Sequence, residues 1–419
     1  SQLMGIWAYR TMMHVCGSRS LQSSRRHFVE TLCFARPRFS SSDVGSTRQG
    51  TEERYHLARS LSRPTVDPEC QKRWAAAMKS DRWKRGAPPL DDYAQAKYEF
   101  RALKDIHKLS HDANVLLEIR DVRLPASSHH PSFTRLAKHR RHLICYTHAD
   151  TIDARTRDRV EGWTLNSWPE SRCAFVDSRE VRPKSDWEGF DMCYNGLLSH
   201  LEESGGINAA LTVGVANTGK SSFLLSLLRA ARRSGQIPRT TRVKNEHNKT
   251  LRKSGSPGIH DRPGMTREIA KYLLRAKPRA FFLDVPGLTP PRYFFEERPE
   301  AWYGFGAANL LPQSKAMAAD PNMQTAFCEY VLHCANRDKV FAYVPKLGLD
   351  APTNRIDEAL SRVDDRFVRK MSEDDVQLMR CAKFLKLFNT GNFGPIILDD
   401  ISRPYERFTY RDEHFRPRR

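Results

Sequence analysis

The sequence predicts an α/β protein with a parallel-type central sheet, followed by a helical carboxy-terminal part. Three observations support this prediction. Short apolar runs alternate with helix-like stretches up to about residue 300, as in βαβ units. A glycine-rich loop at residues 214–221 lies between one apolar run and a helical pattern. Beyond residue 300 the alternation fades, and residues 321–335 and 372–388 have the pattern of amphipathic helices.

The individual elements follow from the spacing of apolar residues. Predicted strands are residues 115–119, 143–146, 173–176, 209–213 and 281–283. Helices are predicted over residues 91–109, where apolar side chains recur at spacings of three and four, and over residues 222–232. We expect residues 1–60 to be a basic segment, 61–90 a linker, 91–298 the α/β domain, 299–400 the helical domain and 401–419 a basic tail.

Composition narrows the class of protein. The 419 residues include 69 Lys+Arg against 49 Asp+Glu, a net charge of +20, which favours a polyanionic partner. A hydrophobic fraction of 39% excludes a wholly disordered chain. No stretch reaches 18 apolar residues, so we expect no membrane span. The nine cysteines contain no C-x-x-C pair, which argues against a zinc ribbon or a disulfide framework and favours a reducing compartment.

The amino-terminal segment has the composition of a mitochondrial transit peptide. Residues 1–50 contain seven arginines, no lysine, many serines and only Glu30 and Asp43 as acids. The segment predicts delivery to the mitochondrial matrix. The alternative is a disordered basic tail that binds RNA.

The strongest chemical signal is the loop at 214–221, which matches G-x-x-x-x-G-K-[ST] at every fixed position. Such a loop wraps phosphates with backbone N–H groups at a helix amino terminus. Lys220 is expected to reach the β- and γ-phosphates, and the Ser221 hydroxyl to ligate Mg²⁺. The predicted phosphate-binding residues are Gly214, Asn217, Thr218, Gly219, Lys220, Ser221, Ser222 and Gly287.

A second magnesium element follows at residues 284–287, where an apolar strand ends in D-x-x-G. We expect Asp284 to hold Mg²⁺ through a water and the Gly287 N–H to contact the γ-phosphate. Thr266, in the sequence P-G-M-T, could complete the metal shell, although residues 263–266 could also be a plain turn. This combination favours a GTPase over an ATPase, which stays a distant alternative.

Guanine recognition requires an element similar to N-K-x-D at the end of a strand. The downstream candidate, residues 354–357 with Asp357, follows no apolar strand. Upstream, a strand leads into Thr147, His148 and Asp150, and a second strand leads to Ser178. The predicted guanine-binding residues Thr147, His148, Asp150 and Ser178 therefore precede the phosphate loop, which is a permuted motif order.

This order, with E-I-R-D-V-R-L-P-A-S-S at 118–128, P-G-x-T at 263–266, D-x-P-G at 284–287 and the sequence at 384–394, resembles the circularly permuted GTPases of the RbgA/YlqF group. The group includes mitochondrial ribosome-associated GTPases, and the resemblance covers about residues 90–400. It implies a G domain with motif order G4-G5-G1-G2-G3, binding of GTP or GDP with Mg²⁺, and a helical domain that contacts rRNA. It also implies maturation of the mitochondrial large ribosomal subunit, with its precursor, rRNA and ribosomal or assembly proteins as partners. We expect a monomer.

Three features depart from the family pattern. Thr147 and His148 replace Asn and Lys, and Thr is too short to copy both bonds of the Asn, while the His148 ring could stack on the base. Leu288 follows D-x-x-G where a water-orienting Gln often stands, and Tyr98 occupies the position of the family histidine. We therefore expect slow hydrolysis by the chain alone. The alternative is a nucleotide-stabilised RNA-binding scaffold whose catalysis has decayed.

The third departure is a basic insertion at residues 233–262, with eight basic residues against Glu246 and Asp261. It predicts an rRNA contact that responds to the γ-phosphate, the alternative being a solvated loop. The candidates for RNA contact are Arg239, Arg242, Lys244, Lys249, Arg252 and Lys253. Trp302, Tyr303 and Phe305 are expected to pack in a core rather than to stack on bases.

Overall fold

The computed structural model describes residues 102–138, 140–177, 197, 199, 208–237, 244–245, 270–290, 294–295, 298–311, 318–363 and 372–405. These residues belong to one compact unit, Thr51–Arg419. The predicted amino-terminal segment and linker, residues 1–90, lie outside the described residues, as do residues 406–419 of the predicted basic tail.

The described strands form one sheet. They are β1 Val115–Asp121, β2 Arg141–Thr147, β3 Ser171–Phe175, β4 Ala209–Gly214, β5 Lys244–Asn245, β6 Ala270–Arg275 and β7 Ala280–Asp284. Their order across the sheet is β3-β2-β1-β4-β7-β6-β5. Neighbouring strands from β3 through β2, β1 and β4 to β7 pair in parallel. Strand β6 pairs antiparallel with both β7 and β5. The predicted α/β fold with a parallel-type sheet is confirmed.

Each of the five predicted strands is present, with ends shifted by up to two residues. The predictions omitted β5 and β6. Strand β6 mixes buried positions with partly or fully exposed ones and forms an antiparallel hairpin with β7. A short, half-buried strand near the sheet edge lacks the continuous apolar run by which the central strands were found.

The described helices surround this sheet and form the carboxy-terminal part. They are α1 Pro131–Ala137, α2 Ala154–Ser167, α3 Lys220–Arg233, α4 Pro299–Ala307, α5 Pro321–Arg337, α6 Tyr343–Leu347, α7 Ile356–Ser361 and α8 Glu373–Asn389. Residues 102–110 are also helical. Local signals start the long helices: the Asp320 carboxylate accepts from the N–H groups of Asn322 and Met323, and the Ser372 hydroxyl accepts from Asp375 N–H.

Both faces of the sheet are covered, which explains the apolar character of its central strands. On one face Leu117 lies in a core with Phe223 and Leu224 of α3. On the other face Leu116 lies in a core with Ile106. Neighbouring residues of β1 therefore point to opposite cores, as the two-residue period of a strand requires.

The helical part packs around α4, α5 and α8, and the described residues after β7 contain no strand. A Cβ at Gly306 of α4 would lie 2.2 Å from Phe327 Cε1 of α5, so these helices approach where glycine leaves room. The same core includes Leu124 and Val215 from the sheet domain. The two parts thus share one hydrophobic core, and the predicted helical carboxy-terminal part is confirmed. Among the described residues, no helix combines the length and apolar character needed to cross a membrane.

Candidate functional site

The candidate site lies at the carboxyl ends of four neighbouring strands. Because β1, β2, β4 and β7 run parallel, their carboxyl ends meet at one edge of the sheet. Strands β1, β2 and β3 lie on one side of β4 in the sheet, and β7, β6 and β5 lie on its other side. Crevices at such a switch in strand order are the usual ligand sites of open α/β sheets.

The phosphate loop connects β4 to α3 with a tightly constrained backbone. A Cβ at Gly214 would lie 2.7 Å from the Ile119 carbonyl, so a larger residue would push β4 away from β1. Asn217 and Gly219 both have left-handed backbone angles, with φ of 64° and 83°. The Thr218 hydroxyl donates to the Val215 carbonyl at 2.9 Å. These constraints bring the chain into α3 with Lys220 as its first residue.

The segment after Asp284 is joined to the phosphate loop by backbone hydrogen bonds. Ala216 N–H donates to the Leu288 carbonyl at 2.8 Å, and Leu288 N–H donates to the Gly214 carbonyl at 3.1 Å. A Cβ at Gly287 would lie 2.9 Å from Ala216 Cα, so this contact also requires glycine. The Leu288 side chain is 1% exposed, inside the core, and offers no polar group to a water.

Lys220 and Asp284 meet between the two loops. The Lys220 ammonium donates to the Asp284 carboxylate and to the Val285 carbonyl. Both side chains are buried, at 7% and 2% exposure. Ser221 follows Lys220 in the first turn of α3 and is partly buried, as is Ser222. One hydroxyl and one carboxylate suit Mg²⁺, which commonly takes only one or two protein ligands with phosphate and water. Thr266, the third predicted ligand, lies outside the described residues.

The predicted guanine loop follows β2. His148 has a left-handed backbone (φ 58°), and residues Ala149–Thr151 form one 3₁₀ turn that leaves Asp150 exposed. The buried Thr147 hydroxyl lies 2.6 Å from the Thr218 carbonyl of the phosphate loop and 3.1 Å from the Arg120 carbonyl. The shorter distance makes Thr218 its acceptor, because a hydroxyl donates one proton. The single hydroxyl of Thr147 therefore ties the guanine loop to the phosphate loop.

The other two candidates for base contact are Ser178 and the rival Asp357. Ala149 N–H donates to the Val176 carbonyl at 3.3 Å, which holds the guanine loop beside the end of β3. Ser178 follows two residues later and lies outside the described residues. The rival Asp357 lies in the first turn of α7, and the elements that directly precede α7 in the described chain are helices rather than a strand.

Several other predicted residues fall elsewhere. Trp302, Tyr303 and Phe305 are buried in the core of the helical part, as packing requires. For Lys244 only the strand backbone is described. Tyr98 lies outside the described residues. So do the remaining candidates for RNA contact: Arg239, Arg242, Lys249, Arg252 and Lys253.

Sequence reasoning gave no role to Asp121 and Arg123, which the fold places behind the guanine loop. The Arg123 guanidinium donates to both Asp121 carboxylate oxygens, from Nε at 2.9 Å and Nη2 at 2.6 Å. His148 Nδ1 lies 3.2 Å from Asp121 Oδ2. The charged residues at 118, 120 and 121 interrupt a strand that is buried at every position. That interruption was the signal from which these roles could have been inferred.

A second buried polar cluster lies on the same strand. Glu118 accepts two hydrogen bonds from the Arg120 guanidinium, both at 2.9 Å, and contacts His129 and His142 at 2.7 and 2.9 Å. The Arg120 guanidinium lies 4.0 Å from the centre of the Trp168 ring. Burial lowers the pKa of His129 to about 4, against the opposing pull of Glu118. The cluster joins β1, β2 and the loop that precedes α1.

Comparisons with known proteins place these features in a family context. Residues 209–346 match the family described as 50S ribosome-binding GTPase. Mitochondrial GTPase 1 of Aedes aegypti is 24% identical over 319 residues, which cover 72% of this chain and 91% of that protein. Mitochondrial ribosome-associated GTPase 1 of Mus musculus is 24% identical over 318 residues, which cover 71% and 87%.

A solved structure, GNP-bound YlqF from T. maritima, aligns with 72% of this chain and 98% of its own, at 15% identity and a TM-score of 0.37. The family match begins at β4, the strand that leads into the phosphate loop. Strands β1 to β3 precede that match in the chain but lie directly beside β4 in the sheet. The guanine-loop strands therefore come first in sequence and neighbour the phosphate loop in space.

Proposed function

We propose that this chain is a circularly permuted GTPase and serves as a GTP-binding assembly factor for the mitochondrial large ribosomal subunit. One observation carries the proposal: the phosphate loop, Asp284 and the guanine loop converge at one sheet edge in permuted order. Relatives that align with about 70% of the chain are named mitochondrial ribosome-associated GTPases. Their names support the mitochondrion as location and the ribosome as partner, and we assign the matrix from the transit-like amino-terminal composition.

The phosphate loop would hold the nucleotide through the N–H groups at the start of α3. With nucleotide bound, Lys220 would exchange its bonds with Asp284 and Val285 for phosphate oxygens, and the Asp284 carboxylate would then help to hold Mg²⁺. Ser221 supplies the direct hydroxyl ligand, and we assign Thr266 as the remaining one. Bound Mg²⁺ supplies charge neutralisation to the phosphates. The Gly287 N–H, which follows Asp284 by three residues, would contact the γ-phosphate.

The guanine loop would select the base. Asp150 is exposed on the 3₁₀ turn, where its carboxylate would accept from guanine N1–H and N2–H₂. The His148 side chain, 27% exposed, would cover the base face. Ser178 would contact the base from the end of β3. Adenine offers an acceptor at N1, which a carboxylate repels, and the site therefore favours GTP.

Hydrolysis by the chain alone would be slow. Leu288 is buried and apolar at the position from which a Gln orients water in other GTPases. Tyr98, in place of the family histidine, supplies no efficient base at neutral pH because a phenol titrates near pH 10. The rRNA or a partner protein would then supply the missing group, so that hydrolysis reports correct docking. The same buried Leu288 supports a second candidate, a GTP-stabilised RNA-binding scaffold that turns over little nucleotide.

The rRNA contact would be electrostatic. A net charge of +20 is spread over a chain whose basic insertion lies between the phosphate loop and the second magnesium element. Phosphate contacts release counterions, so affinity falls steeply with salt. We assign the contact to the insertion, residues 233–262, and to the helical part.

The proposal is tested by sedimenting the purified chain with mitochondrial large-subunit precursors. Cosedimentation with a non-hydrolysable GTP analogue should exceed that with GDP. Affinity should fall about a thousandfold as salt rises from 50 to 200 mM if six phosphates are contacted. R252A/K253A should weaken binding several-fold. The matched control R155A/R172A, which removes two exposed arginines of the G domain, should bind normally. Binding that ignores nucleotide and salt would refute the proposal.

GTP turnover separates the switch from the scaffold. Addition of precursor subunits should raise turnover by tenfold or more if the chain is a switch. Turnover that stays at its basal rate on the subunit, with GTP bound, would establish the scaffold instead. Fast turnover by the free chain would contradict the assigned consequences of Leu288 and Tyr98.

A further inference from the structure

The guanine loop is connected to the helical part by a continuous chain of polar contacts. Asp121 ends β1 and pairs in register with Thr147, which ends β2. Because both strands end at the same edge, the Asp121 carboxylate lies behind the loop that begins at His148. Its distance of 3.2 Å to His148 Nδ1 is the first contact of the chain.

Asp121 is an ionised acceptor in this position. Burial opposes its ionisation, but Arg123 and His148 outweigh that effect and hold the pKa of Asp121 below its ordinary value. An ionised carboxylate only accepts hydrogen bonds. The Thr147 hydroxyl, also 3.2 Å from His148 Nδ1, already donates to Thr218, so both neighbours favour a proton on Nδ1. The carboxylate thereby fixes the ring orientation of the residue assigned to cover the base.

Arg123 extends the chain into the helical part. While it holds both oxygens of Asp121, its Nη1 donates to the Asn389 side-chain carbonyl and its Nη2 lies 3.3 Å from the Ala308 carbonyl. Asn389 is the last residue of α8, and its amide donates to the Ala307 carbonyl at the end of α4 at 2.9 Å. One guanidinium therefore joins the guanine loop to the ends of two helices.

A second contact follows the same route. A Cβ at Gly391, two residues past α8, would lie 3.1 Å from Thr151 Cα. Gly391 has a φ of 74°, which glycine adopts without strain. The turn after α8 thus lies directly against the end of the guanine loop, so a displacement of α8 presses on the loop as well as pulling on Arg123.

We infer that Asp121, Arg123 and Asn389 are positioning residues that couple guanine affinity to the position of the helical part. This inference rests on the proposed guanine loop and adds a regulatory route to it. A partner that shifts α8 changes the affinity for guanine nucleotide, and by linkage the nucleotide changes the affinity for that partner by the same factor. The phosphate loop meets this route at the Thr147–Thr218 bond, but β1 and Leu288 hold it independently, so we expect guanine affinity to respond more strongly than phosphate binding.

The test compares two variants that each alter one link between the halves of the protein. Asn389→Ala removes the acceptor of Arg123 Nη1. Ser127→Ala is the matched control, because the Ser127 hydroxyl donates at 2.6 Å to Asp399, while two backbone N–H groups keep holding that carboxylate. The dissociation constants for GTP and ATP are measured on the full chain, with melting temperature as a check on folding. ATP serves as the ligand that uses the phosphate loop without a matching base.

Asn389→Ala should weaken GTP binding fivefold or more and leave ATP binding within twofold of wild type, so that the preference for GTP falls. Ser127→Ala should resemble wild type for both nucleotides. Unchanged GTP affinity in Asn389→Ala would overturn the inference. So would an equal loss for GTP and ATP, or an equal loss in both variants, since general loosening between the halves would then suffice. A wild-type chain without preference for GTP would instead refute the proposed guanine loop itself.

Discussion

Replacement of Lys220 by alanine should lower the stability of this protein as well as abolish nucleotide binding. In many P-loop proteins such a variant serves as a binding-null control. Here the Lys220 ammonium also donates to the Asp284 carboxylate and to the Val285 carbonyl, and both charged side chains are buried. Lys220→Ala therefore leaves a buried carboxylate without its cation.

The burial of this ion pair determines how much folding free energy the variant loses. Removing one partner of a buried ion pair typically costs about 3–5 kcal/mol because the other charge stays uncompensated. The site opens at the sheet edge, where water can enter the space left by the lysine, so the lower end of that range, about 3 kcal/mol, is expected. Nucleotide binding should be lost as well, since the charge nearest the transferred phosphate is gone.

Urea unfolding of wild type, Lys220→Ala, Asp284→Asn and the double variant provides the measurement. Asp284→Asn removes the buried charge, so the double variant should be more stable than Lys220→Ala by about 1 kcal/mol or more. A fluorescent GTP analogue, added at temperatures where each variant is folded, reports binding separately from stability.

Two results would refute this reasoning. If Lys220→Ala unfolds within about 0.5 kcal/mol of wild type, the ion pair contributes nothing beyond an ordinary surface substitution. If the folded variant still binds the GTP analogue with wild-type affinity, the assignment of the phosphate loop fails.

The remaining predictions concern the base and acidity. Asp150→Asn should lower GTP affinity tenfold or more, because an unpaired buried polar group costs about 1–3 kcal/mol, and should raise affinity for xanthosine triphosphate. Asp357→Asn in α7 should change neither, and the reverse result would restore a conventional motif order. Because burial lowers the pKa of His129 to about 4 from 6.5, protons bind the unfolded chain first as pH falls. His129 by itself should lower the unfolding free energy by about 2 kcal/mol between pH 7 and 5, and His129→Gln should reduce the slope by that share.

Much of the fold and part of the site were predictable because their signals are local. The central strands can be recognised in the sequence as short apolar runs, since both faces of a parallel sheet are buried. The phosphate loop combines fixed glycines with Lys220 within eight residues, and Asp284 follows an apolar strand. The position of Thr147 and Asp150 before that loop already indicated the permuted order.

Contacts between distant parts of the chain were decided only by the tertiary structure. Thr147 bonds to Thr218, 71 residues away, because β2 and β4 end at the same sheet edge. Arg123 meets Asn389, 266 residues away, because α8 ends beside the carboxyl end of β1. Periodicity and motif spacing describe which side chains share a face over one or two turns. They do not specify which elements become neighbours. Strand order and the packing of the shared core determine those neighbours.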